Sequence, residues 1–187
     1  MVLSLIGFMG CGKSSVGRKL ARLLCCPFMD LDEVIEGAEE RSIPEIFATD
    51  GETAFRRMEA EHLQILLDSK DTKSDKSIQD SLHHGKHLNA VVALGGGTVM
   101  RKECAEMVRE KTMCVYLRAT VETLVRNLDG ESENRPMLSN EEPLNVRVAH
   151  LLALRSGTYE QTAHMIIDTD GKTIEEIAAE IHRNLEN

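Results

Sequence analysis

The clearest chemical signal is a glycine-rich segment close to the N-terminus. Residues 7–14 read Gly-Phe-Met-Gly-Cys-Gly-Lys-Ser and match the pattern G-x-x-x-x-G-K-[ST] at every fixed position. In this pattern backbone N–H groups turn inward around phosphate oxygens, and the start of the following helix adds its partial positive charge. We therefore expect Lys13 to reach the β- and γ-phosphates of a nucleotide and the Ser14 hydroxyl to bind Mg²⁺. A glycine-rich turn without a ligand is the alternative.

Two aspartates follow the next short apolar run, residues 27–29. Asp30 and Asp32 are two positions apart, and in extended geometry such side chains point the same way. We therefore expect both carboxylates beside the phosphate loop, at the carboxyl ends of the strands. One carboxylate can hold a magnesium-bound water, and the other can accept the proton of an acceptor hydroxyl. In the alternative interpretation, Asp32 caps the helix that follows.

Four arginines and a run of glycines are further candidates. Arg56 lies near the start of a predicted helix, Arg155 at the end of another, and Arg135 in a polar loop. Arginine suits two-pronged binding of carboxylates and phosphates, although a lone arginine is also an ordinary solvated residue. Arg126 either flanks a nucleotide or lies on plain surface. Gly95–Gly97 directly follows an apolar run, which indicates close backbone approach by a ligand or a tight turn.

Short apolar runs alternate with amphipathic helical patterns along the chain. The predicted strands are 2–6, 27–29, 90–94, 113–117 and 165–167. The predicted helices are 13–24, 31–41, 44–48, 52–68, 102–110, 121–128, 144–154 and a final one with an apolar stripe from Ile174 to Leu185. Gly51 is expected to stop a helix. This alternation predicts an α/β fold, a parallel sheet covered by helices on both faces.

Two polar stretches interrupt this pattern. Residues 69–89 are interpreted as a surface insertion and residues 130–143 as a lid. The insertion contains His83, His84 and His87. His83 and His87 have the i,i+4 spacing of metal ligands on a helix, but no further ligand lies nearby in sequence, so a solvated loop is the favoured interpretation.

Composition excludes several classes of protein. The chain has 187 residues, which favours one domain, and a net charge of −9, which disfavours nucleic-acid binding. Aromatic residues make up 3% and tryptophan is absent, so a base-stacking surface is not expected. No apolar run is long enough for a membrane span, and the N-terminus lacks the features of a signal peptide. Five cysteines without a C-x-x-C spacing indicate reduced thiols in the cytoplasm.

Taken together, these segments closely resemble the shikimate kinase family. The resembling segments are residues 7–14, 30–32, 42–47, 51–52, 55–59, 94–97, 134–138 and 155–159. They follow the family's order and cover nearly the whole chain except 69–89. The resemblance implies a three-layer α/β/α fold of the P-loop kinase type, with a five-stranded parallel sheet and a mobile lid. It also implies transfer of the γ-phosphoryl group of ATP to the 3-hydroxyl of shikimate. We expect the chain to be a monomer.

At the nucleotide end, the resemblance implies contacts with ATP from the phosphate loop and two arginines. The loop residues are Gly10, Cys11, Gly12, Lys13, Ser14 and Ser15. Arg126 is expected near the adenine, and Arg135 is the lid arginine that closes on the phosphates. Ser14 and Asp30 are expected to hold Mg²⁺, Asp30 through water.

At the acceptor end, the resemblance gives Asp32 the shikimate hydroxyls and the role of proton acceptor. Arg56 and Arg155 match the arginines that hold the shikimate carboxylate, assisted by the backbone of Gly95, Gly96 and Gly97. The residues expected to take part in the chemistry are therefore Lys13, Asp32 and Arg135.

The chain departs from the family's pattern in two places. The polar segment 69–89 is longer than the usual link, and Gly157 stands where the family has proline, which predicts a looser turn after Arg155. Two other functions stay open: a kinase for another hydroxy acid such as gluconate, and a non-catalytic nucleotide-binding module. Arg56, Arg155 and the three glycines favour shikimate, and competent residues at each catalytic position argue against the module.

Overall fold

The computed structural model describes residues 1–68, 89–129 and 143–186. The described residues form a five-stranded parallel sheet in the order β2-β3-β1-β4-β5. The strands are β1 (Val2–Ile6), β2 (Phe28–Asp30), β3 (Ala90–Ala93), β4 (Thr112–Arg118) and β5 (Met165–Asp168). The central strand β1 pairs with both β3 and β4, so the phosphate loop that follows it begins in the middle of the sheet. The predicted parallel sheet is confirmed.

Eight α-helices connect and cover these strands within the described residues. They are α1 (Lys13–Leu23), α2 (Leu31–Glu39), α3 (Ile43–Thr49), α4 (Gly51–Asp68), α5 (Lys102–Lys111), α6 (Val121–Leu128), α7 (Leu144–Thr162) and α8 (Ile174–Glu186). A short 3₁₀ turn, Thr98–Met100, follows the glycine run.

The sheet is packed on both faces. Alternate residues of β4 enter different cores: Val115 and Leu117 join the core of one face, and Cys114 and Tyr116 that of the other. The first core includes buried residues of α1, α6 and α8, and the second includes those of α2, α3, α4 and α5. This arrangement confirms the three-layer α/β/α architecture.

Gly51 lies at the break between two helices: it directly follows Asp50, the C-cap of α3, and is the first residue of α4. Its φ of +81° lies in the left-handed region that favours glycine, and α4 runs onward from it. The preceding helix α3 ends at Thr49, with the Asp50 N–H bonded to the Ile46 carbonyl. The prediction that Gly51 stops a helix is confirmed, because a left-handed glycine directly after the C-cap residue is a common way for a helix to end.

Helix α7 is eight residues longer than its predicted end at Leu154. Ser156 and Gly157 lie inside it, so the predicted loose turn after Arg155 is wrong. The buried positions of α7 are Val148, Leu151, Arg155, Tyr159 and Thr162, which keep helical spacing past the glycine. A glycine inside a helix costs about 1 kcal/mol, and the burial of Tyr159 outweighs that cost.

Several sequence predictions lie outside the described residues. These are the insertion 69–89 with its three histidines, apart from Asn89, and the lid 130–143 with Arg135, apart from Pro143. Within residues 1–68, 89–129 and 143–186, every helix is too short or too polar to span a membrane. All five cysteines are free thiols.

Candidate active site

The phosphate loop connects β1 to α1 and is held in shape by its own lysine. Lys13 Nζ donates hydrogen bonds to the carbonyl oxygens of Gly7 and Phe8, both at 3.0 Å. Gly12 precedes α1 with a φ of +91°, which a larger residue rarely adopts. A Cβ atom on Gly7 would lie 2.6 Å from the Leu117 carbonyl oxygen, so the loop also needs glycine for close packing.

The end of α6 supports the loop from outside. Asn127 Nδ2 donates a hydrogen bond of 2.9 Å to the Gly10 carbonyl oxygen. The Leu128 side chain packs so closely that a Cβ on Gly10 would lie 2.8 Å from it. Neither residue is a site candidate in the sequence, because their contact with the loop depends on how α6 packs against it.

Asp30 joins the phosphate loop to α2. Its Oδ2 accepts a hydrogen bond of 2.5 Å from Ser14 Oγ, and its Oδ1 accepts one of 3.1 Å from the Asp32 backbone N–H. Asp30 is therefore the N-cap of α2, and the alternative in which Asp32 is the cap is wrong. The hydroxyl and carboxylate oxygens are the hard donors that Mg²⁺ prefers, so Ser14 and Asp30 fit this ion.

Asp32 lies in the first turn of α2, not in an extended strand. The expectation that Asp30 and Asp32 point the same way as strand residues is thus wrong, because β2 ends at Asp30. Both carboxylates nevertheless line the same cavity. Burial, followed by the negative charges of Asp30 and Glu59, raises the pKa of Asp32 to about 6, and Lys13 partly opposes this shift.

Glu59 on α4 is a buried carboxylate that is not among the candidates from the sequence. It is 1% exposed. One of its oxygens accepts a hydrogen bond of 2.7 Å from Arg56 Nη1, and the other accepts one of 2.5 Å from Thr98 Oγ1. A Cβ on Gly95 would lie 2.8 Å from Glu59 Oε1 and 3.0 Å from Asp32 Oδ1. Glycine at 95 thus lets two carboxylates approach the same point.

Arg56 and Arg155 reach the glycine run from two different helices. A Cβ on Gly97 would lie 2.6 Å from both Arg56 Nη atoms, so a larger residue there would require the guanidinium to shift. Arg155 is 8% exposed, and its Nη1 donates a hydrogen bond of 3.4 Å to the Gly96 carbonyl oxygen. The same oxygen accepts a hydrogen bond of 2.5 Å from the Tyr159 hydroxyl.

A cavity of about 350 Å³ lies at the carboxyl ends of β1, β2 and β3. The lining residues are Met9, Gly10, Gly12, Lys13, Ser14, Ser15, Asp30, Asp32, Leu94, Gly95, Gly96 and Asn127. The cavity thus brings together a cation, a helix N-terminus, two carboxylates and the backbone of the glycine run. This combination suits a phosphorylated ligand beside a hydroxyl group that must lose a proton.

Comparison with known proteins identifies the family. The family model described as shikimate kinase matches residues 9–74 and 72–186. The chain belongs to the shikimate kinase family. It is 37% identical over 187 residues to a shikimate kinase of Symbiobacterium thermophilum, with 100% of this chain and 97% of that protein covered.

Further relatives agree with this assignment to the shikimate kinase family. A shikimate kinase of Thermus thermophilus is 39% identical over 183 residues, covering 98% of this chain and 89% of that one. Among solved structures, the shikimate kinase from Acinetobacter baumannii in complex with shikimate superposes with a TM-score of 0.84 and 31% identity. The superposition covers 99% of this chain and 92% of that chain. The predicted family and fold are therefore confirmed.

The structure gathers most, but not all, of the residues selected from the resemblance to shikimate kinases. Nine of them line the cavity: Gly10, Gly12, Lys13, Ser14, Ser15, Asp30, Asp32, Gly95 and Gly96. Cys11 is buried in the loop, and Arg56, Gly97 and Arg155 do not line this cavity, although both arginines contact the glycine run beside it. Arg126 is exposed on α6 and donates to Thr123 Oγ1 at 3.4 Å; it does not line the cavity, whereas the next residue, Asn127, does. Arg135 lies outside the described residues.

Proposed function

We propose that this chain transfers the γ-phosphoryl group of ATP to the 3-hydroxyl of shikimate. The observation that carries this proposal is the single cavity in which Lys13 of the phosphate loop and the carboxylate of Asp32 stand together. Membership of the shikimate kinase family and the likeness to a structure that contains shikimate support the same substrate pair.

At the nucleotide end, backbone N–H groups of residues 10–15 bind the ATP phosphates. Lys13 is already directed across the loop by its bonds to two carbonyl oxygens, and it exchanges these for phosphate oxygens when ATP binds. Its charge then offsets the negative charge that builds up on the transferred group. Arg135 from the lid adds a second positive charge, and Arg126 lies beside the adenine.

Ser14 and Asp30 are the residues that hold Mg²⁺ in this proposal. When bound, the ion neutralises charge on the β- and γ-phosphates. Within the described residues no group of three or more His, Cys, Asp or Glu side chains forms a metal cluster. Two side chains suffice for Mg²⁺ in kinases, since phosphate oxygens and water complete its coordination.

At the acceptor end, Asp32 takes the proton of the 3-hydroxyl. The hydroxyl oxygen forms a bond to the γ-phosphorus, the bond from that phosphorus to the β–γ bridging oxygen breaks, and ADP leaves. With a pKa of about 6, Asp32 is ionised at neutral pH, yet it is a stronger base than an ordinary aspartate. Arg56 and Arg155 bind the shikimate carboxylate beside the backbone of Gly95–Gly97.

The proposal extends to the whole chain. We take residues 1–187 to be one domain, with 69–89 as an insertion and 130–143 as a lid, acting as a monomer in the cytoplasm without nucleic-acid or membrane partners. Size-exclusion chromatography with light scattering should give a mass near 20.8 kDa. A stable dimer would overturn the proposed monomer and leave the proposed reaction intact.

A coupled assay of ADP release tests the reaction. With ATP and Mg²⁺ present, shikimate should stimulate ADP release strongly and gluconate should not. Preferential turnover of gluconate would overturn the substrate assignment. Tight ATP binding without ADP release in the presence of either acceptor would indicate a non-catalytic nucleotide-binding module.

A further inference from the structure

We infer that Glu52 competes with the carboxylate of the acceptor for Arg56, and so limits how tightly the acceptor binds. This inference rests on the proposed function, because it takes Arg56 to be the ligand of the shikimate carboxylate. It gives a role to a residue at the exposed start of α4.

The guanidinium of Arg56 already has two carboxylate partners. Its Nη1 donates to Glu59 Oε2 at 2.7 Å. Its Nε and Nη2 both donate to Glu52 Oε1, each at 3.4 Å. Nε and Nη2 form one of the two edges through which arginine makes a two-pronged contact with a carboxylate. Glu52 therefore stands where an incoming carboxylate can bind.

The two partners differ in how firmly they are held. Glu59 is buried, has a second hydrogen bond from Thr98, and makes the short contact. The side chain of Glu52 is 53% exposed and makes only the long contacts. Water can solvate Glu52 when it leaves Arg56, whereas the separation of Glu59 would leave a buried charge unpaired. Glu59 is thus the permanent partner and Glu52 the replaceable one.

The negative charges around Arg56 support the same conclusion as the geometry. An acceptor carboxylate brings a third negative charge to one guanidinium, next to Glu52 and Glu59. Whichever edge of Arg56 it takes, the charge of Glu52 repels it, and on the Nε–Nη2 edge it must also displace Glu52. On the Nε–Nη2 edge, binding therefore exchanges one carboxylate for another and loses the Glu52 contact, and on the other edge the repulsion from Glu52 alone weakens binding.

Substitution of Glu52 by glutamine tests this inference. Glu52→Gln removes the charge and keeps the size, so KM for shikimate should fall about two- to fivefold, the range for a partly exposed ion pair. KM for ATP should stay the same, and kcat should change much less than KM for shikimate. Glu61→Gln is the matched control: it removes the same charge from the same helix, and Glu61 pairs with Arg57 at the same i,i+4 spacing at 3.9 Å.

An uncharged acceptor separates competition from a structural effect. Shikimate methyl ester lacks the carboxylate, so Glu52→Gln should not tighten its binding, as measured by calorimetry. A higher KM for shikimate in Glu52→Gln would overturn the inference, because Glu52 would then be positioning Arg56. An unchanged KM, or an equal gain for the ester, would also overturn it. Failure of the proposed function is distinguishable, since the unaltered chain would then not phosphorylate shikimate at all.

Discussion

The two ends of the candidate active site are built in different ways. The nucleotide end consists of consecutive residues whose backbone carries the binding groups, with Lys13 bonded to carbonyl oxygens of its own loop. The acceptor end is assembled from side chains of α2, α4 and α7 around the glycine run. It also contains opposing charges in close contact: Arg56, Glu59 and Asp32 surround Gly95–Gly97.

Because the two ends are built differently, we expect substitutions in them to impair different steps of the reaction. Changes at the nucleotide end should reduce the chemical step and ATP binding while leaving the acceptor site intact. Changes at the acceptor end should alter kcat, the KM for shikimate or the pH dependence, and which of these changes should depend on the charge that is removed. The reason is that the charged side chains at this end contact one another. Variants from each end therefore test whether the two regions are as separate as their construction suggests.

The largest effect is expected for Asp32→Asn. The variant keeps the shape and loses the proton acceptor, so kcat should fall by about 10²–10⁴. Glu33→Gln, a neighbour that is exposed and pairs with Arg18, should stay near the activity of the unaltered chain. Steady-state kinetics with each substrate varied in turn would measure both. Full kcat in Asp32→Asn would remove Asp32 from the mechanism.

The same substitution should stabilise the fold at alkaline pH. The pKa of Asp32 is raised from 3.8 to about 6, first by burial and then by Asp30 and Glu59. The folded state therefore binds this proton more tightly than the unfolded chain, and stability falls as pH rises between these values. At pH 8 the ionised group is destabilising, so Asp32→Asn should have a higher Tm than the unaltered chain. A lower Tm at pH 8 would contradict this reading of the site.

The nucleotide end is tested by Lys13→Ala. Loss of the charge should reduce kcat by about 10²–10³, the effect of removing one donor to a developing charge. KM for ATP should rise, whereas shikimate affinity measured by calorimetry should change little. Lys19→Ala is the control, since Lys19 lies on the same helix and pairs with Glu175 at the surface. If Lys13→Ala weakened shikimate binding as much as ATP binding, the two ends would not be separate.

A smaller effect is expected for Arg56→Lys. Lysine keeps the charge but loses the flat two-pronged donor, so KM for shikimate should rise about tenfold while KM for ATP stays the same. Arg57→Lys, on the exposed side of α4, should leave both constants unchanged. A change confined to ATP affinity would place the shikimate carboxylate elsewhere.

The smallest effect concerns pH dependence. The charges that act on Asp32 are Asp30, Glu59 and Glu36, which raise its pKa, and Lys13, which lowers it. With Asp32 as the base, kcat/KM should fall as pH drops below about 6. Glu59→Gln removes one of the charges that raise the pKa of Asp32. The fall of kcat/KM at low pH should therefore move to lower pH by about one unit or less. A shift to higher pH would show that Glu59 does not act on Asp32 electrostatically.

The nucleotide end could be predicted almost completely from the sequence. Its geometry depends on glycines and a lysine at fixed spacing within eight residues, and the strand and helix on either side follow from local apolar patterns. Asn127 and Leu128 could not be predicted, because their contact with Gly10 arises from the packing of a helix more than a hundred residues away.

At the acceptor end the sequence offers candidate residues but does not predict how they are positioned. Arg56 and Arg155 are candidates from the sequence. Arg155, however, lies inside α7 and not at its end, because buried residues on both sides of Gly157 stabilise a continuous helix. Glu59 was missed as a site residue, since a helical glutamate is ordinarily a surface residue. The i,i+3 spacing from Arg56 was the available signal, but only the tertiary contact with Thr98 shows that this carboxylate is buried.

The most direct test of the shared cavity is identification of the product by phosphorus NMR. The protein is incubated with ATP, Mg²⁺ and an equimolar mixture of shikimate and gluconate. We expect one new phosphate ester for each ADP formed, with its phosphorus coupled to the ring proton at carbon 3 of shikimate, and gluconate unchanged. ADP and inorganic phosphate without a shikimate ester, or an ester on gluconate, would contradict the claim that this cavity joins ATP to shikimate.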